Sequence, residues 1–392
     1  MSDTKALDRE YIAGTYGRFD LELTEGKGSL VRSAEGKEYI DLGTGIAVNT
    51  FGFCDESWTA AVTEQLGKLQ HTSNLYYTAP QARLAEMLCE KTGMKKVFFS
   101  NSGAEANECM IKTARKWAHD RFGEEKSTIV TLRGSFHGRT VTTLAATGQD
   151  AFHTNFGPFT EGFKYAEPGD LAAAEALLAG GDVAAFMIET VQGEGGVRAL
   201  DAEYVKGLFD LCRRYGALFC VDEVQTGNGR TGKLYSYMHF GVQPDIVSTA
   251  KGLAGGLPMG ATLFAESTAE VLTAGQHGST FGGNPIAAAG ACSIISRIDS
   301  ELMKSVEEKS GYIRSELEGA KGVKSVSGLG FMLGIETEAP AKTLVAKLME
   351  RGVLVLTAKE KLRLLPALNI EFELLKKAVA TIKEVLADET PA

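Results

Sequence analysis

Two residue types that seldom close an apolar stretch do so in this chain. Asp222 ends the run ALFCVD, and Lys251 directly follows IVSTA. A carboxylate at the end of an apolar strand is costly to bury alone, so Asp222 calls for a cation or a strong hydrogen-bond donor. Lys251 stands before Gly252, Gly255 and Gly256, on a turn where the backbone has unusual freedom. A third group, the Phe136–Arg139 cluster FHGR, lies in the loop that follows the apolar run TIVTL. A fourth is NSGAEA, residues 101–106. It joins the apolar run KVFFS to a long helical pattern, so the N–H groups of Gly103 and Ala104 would face an anion on the helix axis. Taken singly, NSGAEA also reads as an ordinary glycine turn and Lys251 as a solvated lysine.

The elements that must hold these groups are legible around them. KVFFS (96–100), TIVTL (128–132), AAFMIE (184–189), ALFCVD (217–222) and IVSTA (246–250) are apolar without alternation, and helical segments separate them. One such segment is DAEYVKGLFDLCRRYG, with Asp201 as N-cap and Gly216 at its end. Strands buried on both faces and joined by helices predict an α/β fold with a largely parallel sheet. Ligands of such sheets bind outside the carboxyl ends of the strands, where all four groups fall. Residues 19–41 read as short strands in FDLEL, GSLVRS and KEYIDL. After NPIAAAGACSIISRI the chain grows richer in charge. There FMLGIE, VLVL and KLRLL read as strands, 371–387 as a helix and ADETPA as a frayed tail, which together predict a smaller α+β domain. A helix-end anion site, a buried carboxylate and a strand-end lysine match a phosphate, a protonated ring nitrogen and an aldehyde. Pyridoxal 5'-phosphate carries all three.

Several other chemistries are disfavoured. GNGRTG (227–232) imitates a dinucleotide fingerprint, but the helical segment after it, KLYSYMHF, is short, and Asp245 opens the next strand where a ribose-binding acid should close it. Extended to Lys233 the same run imitates a phosphate-binding loop, yet Leu234 stands where a metal-binding hydroxyl belongs. With 41 basic against 50 acidic residues, net −9, the chain lacks the basic footprint that nucleic acid requires. No apolar run reaches the ~18 residues of a membrane span, and MSDTKALDREY has no apolar signal region, so a cytoplasmic protein is expected. Six cysteines without CxxC spacing and six histidines without HExxH predict reduced thiols and no metal site. The 45 glycines in 392 residues, about 11% against ~7% on average, concentrate in the loops after the strands.

From about Thr15 to Leu386 the sequence resembles the class III pyridoxal-phosphate aminotransferases. The resemblance rests on SGAEANE (102–108), SFHGRT (135–140), ETVQGEGG (189–196), VDEVQTGNGRTG (221–232), PDIVSTAKGLAGGLPMG (244–260) and GSTFGGNP (278–285). FHGR, GIAVN (45–49) and HTSNLYY (71–77) are most similar to the acetylornithine aminotransferases of that family. The resemblance implies the fold-type I transferase architecture. It divides the chain into an N-terminal segment 1–50 that joins the small domain, a large cofactor-binding domain 51–270, and a connecting helix with the small α+β domain 271–392. It also implies a homodimer with shared active sites.

Carried over residue by residue, Lys251 would bind the cofactor covalently and shuttle the substrate proton, and Asp222 would keep the pyridine nitrogen protonated. Ser102, Gly103 and Ala104 would hold the phosphate, completed by Thr280 of a partner subunit. Phe136 and Val224 would cover the two ring faces, Gln225 would bond the ring hydroxyl, and Glu223 would belong to the same loop. Arg139 would bind the substrate carboxylate, with Ser279 and Tyr16 as further substrate contacts. Glu194 and Arg363 match a family pair in which the arginine receives the second carboxylate of 2-oxoglutarate and the glutamate masks it when the amine donor is bound. Related ornithine enzymes tend to carry a tyrosine where this chain has Gly45, which favours an N-acylated amine donor. Other class III transaminases, acting on succinylornithine, N-succinyl-diaminopimelate, ornithine or 4-aminobutyrate, are the alternatives. A binding module that has lost its chemistry would lack the lysine or the aspartate, and both are present.

Overall fold

A computed structural model describes residues 4–389. The unalternated apolar runs form one central sheet. In chain order its strands are β4 (Lys96–Ser100), β5 (Thr128–Leu132), β6 (Phe163–Ala166), β7 (Val183–Ile188), β10 (Leu218–Asp222), β11 (Ile246–Thr249) and β12 (Gly260–Phe264). Every residue of β5, β7, β10, β11 and β12 is buried, as helices on both faces require. The spatial order is β4-β12-β11-β10-β7-β5-β6. Pairs from β11 to β6 are parallel, whereas β12 runs antiparallel to both β11 and β4. Asp222, the last residue of β10, pairs with Ser248 of β11. The carboxylate strand and the lysine strand are therefore neighbours, with both carboxyl ends on one edge.

Two helices show how local sequence sets this frame. Gly103–Phe122 starts at the Ser102 cap and lays Ala106, Met110, Ala114 and Trp117 inward. Ala202–Tyr215 starts where the Asp201 carboxylate accepts the Glu203 and Tyr204 N–H groups, and ends at Gly216 in the left-handed conformation. A cap of the Asp201 kind stabilises its helix by about 1 kcal/mol.

The N-terminal strands differ from the sequence expectation. FDLEL is not a strand; pairing begins at β1 (Leu23–Lys27), which turns at Gly28, φ +57°, into β2 (Leu30–Ser33). The tight turn sets the register, and the polar run LTEGK is carried along although it does not alternate. β3 (Glu38–Asp41) follows, and pairs in parallel with β15 (Val353–Leu354) from the far end of the chain. A short hairpin, β8 (Val191–Gln192) with β9 (Arg198–Ala199), brackets Glu194. The last sheet orders β13 (Val323–Leu329), β14 (Met332–Thr337), β17 (Lys361–Leu364) and β16 (Leu356–Ala358). VLVL is thus divided between two sheets. The closing helix, Phe372–Glu389, takes in the first three residues of ADETPA, which extend its amphipathic run instead of fraying; the final three lie outside the described residues.

Candidate active site

A cavity of about 430 Å³ opens at the carboxyl ends of β7, β10 and β11 and the start of the helix Gly103–Phe122. Asp222, Lys251, Phe136, Arg139, Val224 and Gln225 line it, with Ser102, Gly103 and Ala104 at the helix start. A larger cleft of about 780 Å³, between β1–β2 and Asn369–Leu374, shows no comparable convergence of residues.

Asp222 is buried and heavily hydrogen-bonded. One carboxylate oxygen accepts from Asn107 Nδ2 and His137 Nδ1, each at 2.8 Å, and the other from the Val224 N–H at 2.9 Å. Burial pushes the His137 imidazole down, but the hydrogen bond and charge of Asp222 outweigh it and the net shift is upward. The aspartate is thereby aimed into the cavity, where its carboxylate would face a cation. Neither Asn107 nor His137 was assigned a role from sequence. Asn107 carried a signal, an amide within the apolar face of a helix. Glu189 was missed too, although it follows the apolar β7 just as Asp222 ends β10. Its carboxylate accepts the Phe136 N–H at 2.9 Å, and burial raises its pKa.

Lys251 has φ +46°, a left-handed backbone conformation uncommon for a side chain of this size. It opens the short 3₁₀ turn Lys251–Leu253, and Gly252 leaves room there, because a Cβ would lie 2.7 Å from Thr50 Oγ1. Backbone strain of this kind clusters at functional sites, where the surrounding packing enforces it. Burial lowers the lysine's pKa, which eases loss of its proton.

At the helix start, Ser102 Oγ caps the Glu105 N–H at 3.2 Å, while Gly103 and Ala104 line the cavity. A Cβ on Gly103 would come within 2.6 Å of Val224 Cγ1, so glycine is what lets the β10 loop close over the helix end. Gly103→Ala should overpack this contact by about 1–3 kcal/mol. The expected result is a loss of about tenfold or more in affinity for the cofactor, read by equilibrium titration. Unchanged affinity would mean that Val224 is free to move away.

Arg139 lies over the rings of Phe136 and Phe152, at 5.6 and 5.1 Å from their centroids. Behind Gln225, Arg363 Nη1 donates to Glu194 Oε1 at 2.5 Å and to Gln225 Oε1 at 3.1 Å. Burial alone would raise the Glu194 pKa, but the charge and hydrogen bond of Arg363, with the Lys251 charge and the Gln225 hydrogen bond, together outweigh it and hold the carboxyl below its usual range. Ser279 does not line the cavity, although its hydroxyl accepts from Asn101, which does. Thr280 is exposed and Tyr16 is 71% exposed, and neither lines the cavity of this chain. Glu223 does not face the cofactor cavity either. Successive strand-end residues point to opposite sides, and its carboxylate accepts from Thr226 Oγ1, Ser236 Oγ and the Tyr237 N–H at 2.6, 2.6 and 2.9 Å. It fastens the turn from behind.

The donor set fits pyridoxal 5'-phosphate: a capped helix start for a phosphate, a buried and oriented carboxylate for a ring nitrogen, an aromatic wall, and a primary amine of lowered pKa. Comparisons with known proteins agree. The aminotransferase class-III family model matches residues 11–386. An acetylornithine aminotransferase of Haemophilus ducreyi is 48% identical over 386 residues, covering 98% of each chain. A succinylornithine transaminase of Citrobacter koseri is 42% identical over 391 residues, covering 97% of this chain and 95% of that one. The crystal structure of an ornithine aminotransferase from Toxoplasma gondii superposes with a TM-score of 0.95 at 32% identity, covering 98% of this chain and 94% of that one. With the family model spanning nearly the whole length and the cavity supplying each group the cofactor needs, this chain belongs to the class III aminotransferases, and its cofactor is pyridoxal 5'-phosphate.

Proposed function

We propose that the protein transfers the terminal amino group of N2-acetyl-L-ornithine to 2-oxoglutarate, giving N-acetyl-L-glutamate 5-semialdehyde and L-glutamate in two half-reactions at one site. The observation that carries this reading is the Glu194–Arg363 pair, hung on Gln225 at the cavity wall. An enzyme that accepts a diacid and a monoacid in turn needs a cation it can cover and uncover. Arg139, exposed on its aromatic seat, receives the carboxylate common to both substrates. Gly45, with φ +64° in the turn Thr44–Ala47, offers no hydroxyl to a free α-amine and leaves room for an acyl group.

Bound pyridoxal phosphate supplies a carbonyl that exchanges amino groups and a ring that withdraws electrons. The residues do the rest. Lys251 Nζ, its pKa depressed by burial, takes the proton from the substrate carbon and returns it on the other side of the exchange. Asp222, held by His137 and Asn107, keeps a proton on the ring nitrogen. Phe136 and Val224 sandwich the ring, and Ser102 to Ala104 with Thr280 of a second copy bind the phosphate. Tyr16 and Ser279 complete the substrate end in the assembled enzyme.

A second copy of the chain is the natural cover for Leu75, Tyr76, Tyr77 and Phe281, which are 87, 69, 106 and 61% exposed. A homodimer with shared sites follows from this reading, as does a cytoplasmic location. No helix among the described residues is long and apolar enough to cross a membrane.

Single-turnover spectroscopy with acetylornithine, succinylornithine, ornithine and 4-aminobutyrate tests the donor. Acetylornithine is expected to react fastest, and a preference for ornithine would overturn the choice. Succinylornithine is the second reading, favoured by the 42% identity to the Citrobacter transaminase; acyl length alone is discriminated by only ~1–3 kcal/mol. Glu194→Ala leaves Arg363 bare, so the amine half-reaction should slow more than the glutamate half-reaction, by about tenfold. Equal losses in the two would remove the mask from the mechanism.

A further inference from the structure

The run GNGRTG, which binds no nucleotide in this reading, has a definite place in the fold. It begins at Gly227, two residues after Gln225 in the loop that follows β10, and carries Arg230 into the interior, where the residue is 2% exposed. The guanidinium donates from Nη1 to the Pro366 carbonyl and, at 3.4 Å, to the Phe331 carbonyl. Its own carbonyl accepts the Phe331 N–H at 2.9 Å. Burial pushes its pKa down to about 9, with Asp41 opposing. A buried cation spent on backbone carbonyls is an expensive way to fasten a loop.

What it fastens is the segment that bears Arg363. Three contacts join residues 225–230 to residues 363–368. Gln225 Oε1 accepts from Arg363 Nη1 at 3.1 Å, and Arg230 Nη1 holds the Pro366 carbonyl. Gly229, φ +87°, packs so closely that a Cβ would lie 2.7 Å from Leu368 Cδ1. Arg363 is paired within β17 to β14 and β16, but the strand ends at Leu364. Beyond it the stretch is held by single backbone bonds, from the Leu365 N–H to the Leu42 carbonyl at 2.7 Å and from the Leu368 N–H to the Thr50 carbonyl at 2.9 Å, with Arg230 on the Pro366 carbonyl between them. We propose that Arg230 is a positioning residue for the diacid half-reaction: its grip on Pro366 sets where the Arg363 guanidinium stands beside Gln225, and hence how well a second carboxylate is received. The inference rests on the proposed role of Arg363.

The test uses holoenzyme and two half-reactions, one with L-glutamate and one with acetylornithine. Arg230→Lys keeps the charge but loses the planar fork. It should raise the concentration of L-glutamate needed for half-maximal rate by about tenfold and that of acetylornithine by less than about twofold. In an Arg363→Lys background the added effect of Arg230→Lys should vanish, because the group it positions is gone. Equal losses in both half-reactions, or an undiminished effect in that background, would overturn the inference. Leu368→Ala loosens the same seam without touching a charge; it should give the same split, and it decides the matter if Arg230→Lys fails to fold. If Arg363→Lys itself affects both substrates alike, the proposed role of Arg363 fails first, and the two failures are told apart.

Discussion

Lys251→Ala should abolish turnover, with a fall of about 10⁴-fold or more in both half-reactions. Lys251 is the only lysine lining the cavity among the described residues. No other primary amine there can take over the covalent hold on the cofactor or the proton transfer. Its backbone is fixed at φ +46° by the turn it opens, so a lysine elsewhere on the loop would not reach the same point. The strain makes the prediction specific. Lys251 lines the cavity and is only partly buried, so in the cofactor-free protein alanine in its place should move thermal unfolding little while activity disappears. The measurement is single-turnover kinetics beside the near-ultraviolet and visible spectrum of the reconstituted protein. Retention of more than about a hundredth of the wild-type rate in both half-reactions would contradict the role given to this residue.

Asp222→Asn should cost about 10²–10³-fold in turnover. The amide nearly matches the carboxylate in shape but carries no charge to hold a protonated ring nitrogen. It also presents an NH₂ group where one oxygen now accepts from both Asn107 and His137, or else toward the Val224 N–H. Either orientation leaves a buried donor without an acceptor, at about 1–3 kcal/mol. Two effects are therefore expected together: slower chemistry and weaker cofactor binding. They separate under saturating cofactor, where affinity ceases to matter. Full recovery of the rate under that condition would mean that the charge of Asp222 serves binding alone.

Much of this site could be read before its geometry was known, and the reasons differ from residue to residue. Asp222 and Lys251 stand out because a charge at the end of an apolar strand has few inexpensive explanations. Gly103 and Ala104 stand out because a helix start after a strand has a fixed polarity. Glu223 illustrates a limit. Next to Asp222 and chemically similar, it lies on the other side of the strand end, and the phase of a fully buried strand is not encoded in alternation. The direction of β12 was hidden for a related reason, since parallel and antiparallel central strands are equally apolar. His137 and Glu189 act through contacts spanning 85 and 53 residues, to Asp222 and Phe136 respectively. Tyr16 and Thr280 do not line the cavity of this chain, and the roles proposed for them rest on the resemblance.

The antiparallel strand β12 has a consequence for when the enzyme comes into being. β4, which delivers Ser102 and the helix start, has β12 as its one neighbour in the sheet. A growing chain cannot dock that helix start until residue 264 is synthesised, about 160 residues after the helix start itself. The lysine arrives almost as late. Capture of the cofactor thus awaits long-range pairings, which form more slowly than local ones.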